Sequence, residues 1–239
     1  MPNSRAFVIR SIKNGETSLI VSCYLEDIGF KSFIVKGVFG SKKSKFSKAH
    51  FFPLNIIHLN YSYTEGRDLG FIKEVKSEML YNTLHSDVQK SSIIIFLSEI
   101  LNSVFKEETG VNKNLFEFLI NTLSWYDHVK ACNNFHIKFL IELSKFIGFY
   151  PNINNQNHSF FDLEFGSSSE TIPIGVNISG DDLTLFKKIL GTNFEDLNLM
   201  KLNNASRVRI LNYIIDYYSL HLQMFKKPKS INVFNEIFK

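Results

Sequence analysis

The sequence predicts an α+β chain, a small five-stranded β-barrel followed by an α-helical bundle, and three observations predict it. The first 75 or so residues break into five short strand-like runs separated by turn residues. From about Asn82 onward the apolar period changes to steps of three and four. The 24 phenylalanines among 239 residues supply apolar area for a core in each part. Two domains are expected, residues 1–80 and 81–239, with an irregular insert at about 148–178 in the second.

The runs AFVIRSI and SLIVSCYL flank KNGET, where Asn14-Gly15 accepts positive φ, so they read as a β-hairpin. A turn at EDIGF, using Gly29, leads into KSFIVKGV. The runs FFPLNIIHLNYSY and LGFIKEVKSEML follow, joined by TEGRD with Gly66. A sheet this small has edges to hide and too little area on one face to form a core. Closure into the five-stranded barrel known as the OB-fold meets both needs, with an SH3-type roll as the alternative.

The helical part opens with Ile93, Phe96, Leu97, Ile100, Leu101 and Val104 in one stripe. Leu115, Phe116, Leu119 and Leu123 form a second, and Phe135, Phe139, Leu140, Leu143 and Phe146 a third. Gly110 and Gly148 are expected to end helices, the latter with Pro151 close behind. Helical signals resume at SGDDLTLFKKIL, where Ser179 and Asp182 have the spacing of a capping box. A longer helix is expected from about Asn204 to Phe225, and SINVFNEIF closes the chain. DYYSLH and FFPL read as core aromatics.

Composition narrows the function classes. The N-terminus has no signal-peptide pattern, and the most apolar stretch, SSIIIFLSEILNSVF, is interrupted by Ser98, Glu99 and Asn102, so a cytoplasmic protein without a membrane role is expected. Cys23 and Cys132 form neither a CxxC pair nor a disulfide framework and read as buried thiols. Residues 1–80 hold 12 basic against 7 acidic side chains and the remainder 15 against 16, so the excess positive charge lies in the first third. Lys far outnumbers Arg and Asn, Ile and Phe are abundant, as AT-rich coding would give, which tempers the weight of any one lysine.

Catalytic signatures do not appear: there is no GxSxG, HExxH or GxxxxGK[ST], and GSKKSK lacks phosphate-loop spacing. Asp162 and Glu164 in FDLEFG form one DxE that could share a divalent metal, and without partner carboxylates it reads as a turn. His221 reads as a hydrogen-bonded helix residue. The sequon Asn60-Tyr-Ser62 has no role in a protein that is not exported.

The segment KGVFGSKKSKFSK carries the functional signal. Nucleic acid binds chiefly through neutralised phosphates, which needs cations held together without acids to cancel them. Lys36, Lys42, Lys43, Lys45 and Lys48 meet that need, Phe39 and Phe46 sit among them where bases could stack, and Arg10 and Lys13 could extend the patch. Packing of the two rings on the barrel is the competing reading. A second basic group comprises Arg207 and Arg209 at a helix start, then Lys226, Lys227 and Lys229. Helix-dipole effects account for the lysines, whereas the arginines call for a carboxylate partner within the chain or on another protein.

The opening AFVIRSIKNGETSLIVSCYLEDIGFKSFIVKGV, with GETSLIV and KG, and the ending ASRVRILNYIIDYYSLHLQMFKKPKSINVFNEIF, with its R…LL…YY…H…KS order, resemble the RecO family of DNA repair and recombination mediators. Together with the helix pattern between them, the resemblance covers essentially the whole chain. It implies a protein without catalytic residues or cofactor that binds single- and double-stranded DNA, anneals complementary strands and helps load RecA. Its implied partners are RecR, the C-terminal tail of the single-strand-binding protein SSB and, in some organisms, RecF. Lys36 and the lysines after it match the DNA-contacting region of the family's barrel. A helical-domain pocket pairing cations with apolar walls would suit the acidic, aromatic-ended SSB tail. Many members carry two zinc-binding cysteine pairs. The corresponding stretch here, about Gly148 to Gly166, has none, so zinc is not expected and Phe160, Phe161 and Phe165 are expected to hold the segment.

The sequence reading is therefore a DNA-binding mediator. Its rivals are a protein-interaction adaptor whose lysines serve solubility, and a metal-dependent nuclease using Asp162 and Glu164.

Overall fold

The computed structural model describes residues 2–39, 46–130 and 132–231. The chain forms two compact units, Met1–Asp127 and His128–Lys239. Strands β1 (Asn3–Asn14), β2 (Ser18–Leu25), β3 (Gly29–Val35), β4 (Ile56–Ser62) and β5 (Leu69–Ser77) close a barrel in the order β1-β2-β3-β5-β4. This is the OB topology, with β3 and β5 forming the parallel seam. Alternation decides which side chains fill it. Leu19, Val21 and Cys23 of β2 point inward with Phe33, Val35, Leu59 and Ile72, while Ile20 and Ser22 face out. A Cβ on Gly70 would lie 2.8 Å from the Phe33 ring, so glycine makes room for that ring in the core.

A bulge between Val8 and Arg10 resets the parity of β1. Val8 pairs with Cys23 and points inward, whereas Arg10 and Ile12 pair with Ser22 and Ile20 and face out. The hairpin turn uses Gly15 at φ 63°, as its Asn-Gly chemistry predicts.

Helices α1 (Val88–Glu107) and α2 (Lys113–His128) complete the first unit. The predicted stripes of α1 and α2 are buried, and Tyr24 stacks on Phe105 at 4.1 Å while Phe7 meets Phe116 edge-on at 5.1 Å. By length and composition alone α1 could cross a membrane, but most of its apolar side chains are buried in protein. Gly29 allows the closest approach here. Its φ is 71°, and a Cβ would stand 2.3 Å from the Thr109 carbonyl. Gly110 does not take the left-handed turn expected of a cap, and α1 instead ends at Glu108, whose N–H returns to the Val104 carbonyl.

The second unit holds α3 (Phe135–Phe146), β6 (Phe160–Asp162), β7 (Ser167–Ser169), β8 (Asn177–Ser179), α4 (Gly180–Leu190) and α5 (Asn204–His221). The segment read as irregular contains a three-stranded antiparallel sheet, β7-β6-β8, with strands too short to show alternation. Phe161 anchors it against Phe186 and Tyr217, and Phe160 is half-buried. Phe165 is a correction: it is 78% exposed and contributes nothing to that packing. Gly148, at φ 87°, ends α3 as predicted.

Two local expectations fail for visible reasons. Ser179 caps α4 without a side-chain hydrogen bond, and the Asp182 carboxylate, the other half of the expected box, accepts from Arg209 instead. Helix α5 stops at His221 rather than Phe225. Leu222 becomes extended, which lets the Phe225 ring fold back onto Tyr218 at 5.6 Å, whereas a continued helix would carry residue 225 about two turns beyond it. Tyr217 and Tyr218 are core residues whose hydroxyls donate to the Phe149 and Leu140 carbonyls at 2.6 Å each. Phe51 is likewise buried, but its neighbour Phe52 is 48% exposed. Both cysteines are buried free thiols.

Candidate nucleic-acid interface

The strand register brings two of the predicted cations, Lys13 and Lys36, to one end of the barrel, and a ring contact adds Lys48. Lys13 closes β1 opposite Leu19, Leu19 lies opposite Val35, and Lys36 follows directly. The segment after β3 is held there by the Phe39 N–H, which donates to the Thr17 carbonyl at 3.2 Å. Half-buried against the barrel core, the Phe39 ring carries the Lys13 ammonium 5.5 Å and the Lys48 ammonium 4.4 Å from its centroid. Phe39 thus orients two cations by its ring quadrupole. A 3₁₀ turn at Lys48–Phe51, capped by the Ser47 hydroxyl, presents Lys48.

The outer sheet surface adjoins this end. Ile12, Ile20, Ile34 and Phe71 are register partners in a single row across β1, β2, β3 and β5, opposite in parity to the core. Ile12 and Phe71 are 43% and 39% exposed. The Lys36 ammonium stands 5.3 Å over the Phe71 ring. The next row is Arg10, Ser22, Ser32 and Leu69, with Arg10 exposed. Among the described residues, no carboxylate pairs with Arg10, Lys13, Lys36 or Lys48, although Glu16 lies exposed in the adjacent hairpin turn.

At the far end of β3, Lys31 lies 5.4 Å over the Tyr63 ring. These two residues line a groove of about 320 Å³ with Phe30, Ser32, Gly66, Arg67 and Asp68. Lys31 and Lys36 are five positions apart, roughly 17 Å along extended chain. Sequence reasoning missed Lys31, Tyr63, Arg67 and Phe71. For Phe71 the signal was present, since in LGFIK the ring has the parity opposite to buried Ile72.

One predicted residue needs correction and three lie outside the described part. Phe46 is only 8% exposed and packs against Phe51 in the barrel core, so it offers no face to a base. Lys42, Lys43 and Lys45 lie outside the described residues.

The second basic group does not come together. Arg209 forms a bidentate pair with Asp182 at 2.9 Å, the intrachain carboxylate its helix position called for. Lys227 pairs with Asp216 at 2.7 Å, and Lys226 and Lys229 are exposed. Arg207 differs from these. It is only 8% exposed, and its guanidinium donates to three neutral oxygens, Asn134 Oδ1, Asn204 Oδ1 and the Leu202 carbonyl, at 3.0 to 3.2 Å. Burial lowers its pKa. It lines a cleft of about 280 Å³ with Leu197, Met200, Leu202 and Lys201.

His221, as expected, is a hydrogen-bonded helix residue, its Nε2 lying 2.9 Å from the Leu163 carbonyl. Asp162 Oδ1 accepts the Glu164 and Phe165 N–H groups, at 2.8 and 3.2 Å, which closes a turn. Among the described residues, no group of three or more His, Cys, Asp or Glu side chains is placed to hold a metal ion.

Comparison with known proteins gives the same sense to both parts of the chain. Residues 1–81 match the family model described as Recombination protein O N terminal, and residues 85–230 match Recombination protein O C terminal. The DNA repair protein RecO of Flavobacterium psychrophilum is 40% identical over 235 residues, covering 98% of each chain. That of Flavobacterium johnsoniae is 36% identical at the same coverage. That of Christiangramia forsetii is 33% identical over 236 residues, 99% of this chain and 98% of its own.

Proposed function

The chain belongs to the RecO family of DNA repair and recombination proteins, and from that premise we propose that it is a cytoplasmic, non-enzymatic mediator that binds single- and double-stranded DNA, anneals complementary strands and assists RecA loading onto SSB-coated DNA. One observation carries this reading: Lys13, Lys36 and Lys48 stand at one end of an OB barrel, with no paired carboxylate among the described residues. Two polyanionic strands repel each other, and a cationic surface lowers that barrier by displacing condensed counterions. No covalent chemistry is needed for pairing, so no catalytic group is required.

The partners proposed on family grounds are RecR, RecF and the SSB tail. The Arg207 cleft supports the last of these. A buried guanidinium with only neutral partners favours an incoming carboxylate, and Leu197, Met200 and Leu202 offer apolar walls for an aromatic end.

Annealing of SSB-coated complementary strands tests the proposal. The protein should accelerate pairing, and neutral substitution of Lys42, Lys43 and Lys45 should weaken binding while lowering the salt slope by about 0.7 to 0.9 for each phosphate no longer neutralised. Failure to bind DNA at moderate salt would favour the adaptor reading, and strand scission with magnesium or manganese the nuclease reading.

A further inference from the structure

We infer that Phe71 is a stacking platform for an unpaired base, so that the barrel grips single-stranded DNA through base faces as well as phosphates. The inference rests on the nucleic-acid reading above and deepens it.

Most large aromatic rings of the first unit are buried, Phe7, Tyr24, Phe33, Phe96, Phe105 and Phe116 fully so. Phe52, at 48%, and Phe71, at 39%, are exposed, and Phe71 is the one that lies on a barrel strand, on the outer face of β5. Its row partners Ile34, Ile20 and Ile12 make a continuous apolar strip across four strands. Such a strip on a sheet face needs an occupant, and charge indicates which one. The strip lies between Arg10 in the next row and Lys36, with Lys13 and Lys48 at the adjacent barrel end, and no described carboxylate pairs with any of them. Apolar rings flanked by unpaired cations suit a chain that alternates flat, weakly polar faces with anionic links. Single-stranded nucleic acid is such a chain, whereas a duplex keeps its base faces stacked on one another.

The Lys36 ammonium over the Phe71 ring then acts as a placeholder. An exposed cation–π contact is weaker than stacking of a nucleobase on an aromatic ring. Lys36 sits on a flexible four-carbon stem, so its ammonium can swing to a phosphate while the base takes the ring face. Both groups exchange a weaker contact for a stronger one. Phe39 is not equivalent, since it is half-buried and engaged by two ammonium groups.

The test compares oligo(dT), an abasic phosphodiester oligomer of equal length, and a duplex, each titrated with wild type, Phe71→Ala and Phe71→Trp. Phe71→Ala should bind oligo(dT) about 5- to 100-fold more weakly. Its affinity for the abasic oligomer and for the duplex should match wild type, and Phe71→Trp should restore oligo(dT) binding. A 2-aminopurine base in the oligonucleotide should change its fluorescence on binding wild type and not on binding Phe71→Ala. Equal loss on all three ligands, or no loss on oligo(dT), would overturn the inference while leaving phosphate binding intact. Failure of wild type to bind any of the three would overturn the nucleic-acid reading beneath it.

Discussion

Replacing Asp127 by alanine should destabilise the first unit by about 3 to 5 kcal/mol. Asp127 is 4% exposed near the C-terminal end of α2, and its carboxylate gathers the stretch between barrel and α1. Oδ2 accepts the Asn82 N–H at 2.8 Å. Oδ1 accepts the Thr83 and Leu84 N–H groups at 2.8 and 3.0 Å and the Thr83 hydroxyl at 3.0 Å. Burial alone would raise its pKa, but the three backbone donors outweigh burial and hold it below the usual carboxylate range. In the alanine variant the exposed Asn82 N–H can turn to water. Those of Thr83 and Leu84 lose their acceptor in a place where Leu84 is fully buried, at about 1–3 kcal/mol each. Lys90, 3% exposed and bonded to Thr83 Oγ1 and the Asp127 carbonyl, also loses the nearby anion that offsets its burial.

Asp127→Asn should cost less, about 1–2 kcal/mol, because its amide oxygen can still accept from Thr83 and Leu84 while its NH2 meets the Asn82 donor. Trp125, the sole tryptophan, lies two residues away on α2, so urea unfolding followed by its fluorescence reads this unit directly. A lowered folded pKa means the contribution is complete above about pH 4 and fades as pH falls through that lowered value. Stability of Asp127→Ala within about 0.5 kcal/mol of wild type would refute this account of the junction.

Gly29→Ala should cost about 2–4 kcal/mol, since positive φ adds roughly 1–2 kcal/mol and the new methyl meets the Thr109 carbonyl; the midpoint of urea unfolding measures it. His136 in α3 is fully buried, and burial together with the Arg207 charge pushes its pKa down to about 3. The unfolded chain therefore takes up a proton near pH 6.5 that the folded one refuses. Stability of the second unit should fall by about 2 kcal/mol from pH 7 to pH 5. Circular dichroism of His136→Phe over the same range should lack that component.

The barrel was legible because its strands alternate and its turns use Asn14-Gly15, Gly29 and Gly66, all local signals. The helix stripes were legible for the same reason. What escaped was set by tertiary geometry. Strands of three residues carry no period, and α5 ends where Phe225 gains a ring contact that no spacing rule contains. The site shows the same division. A run of lysines is visible in any sequence, but which phenylalanine faces out depends on parity. Phe46 looked like a platform from its neighbours and is core, while Phe71, which the lysine run does not single out, is exposed. Outward placement of Arg10 requires the bulge after Val8, which a strict alternation from Val8 would have reversed. Arg207 and Arg209, two residues apart, diverge because one reaches Asp182 and the other turns into a cleft.

The electrostatic claim meets its most direct test in the salt dependence of single-stranded DNA binding by wild type and by a variant with Lys13, Lys36 and Lys48 all changed to glutamine. With three phosphates no longer neutralised, the slope of log K against log salt should become shallower by about 2, and binding at low salt should weaken. A correctly folded variant with the wild-type slope would show that these ammonium groups are not where the strand lies.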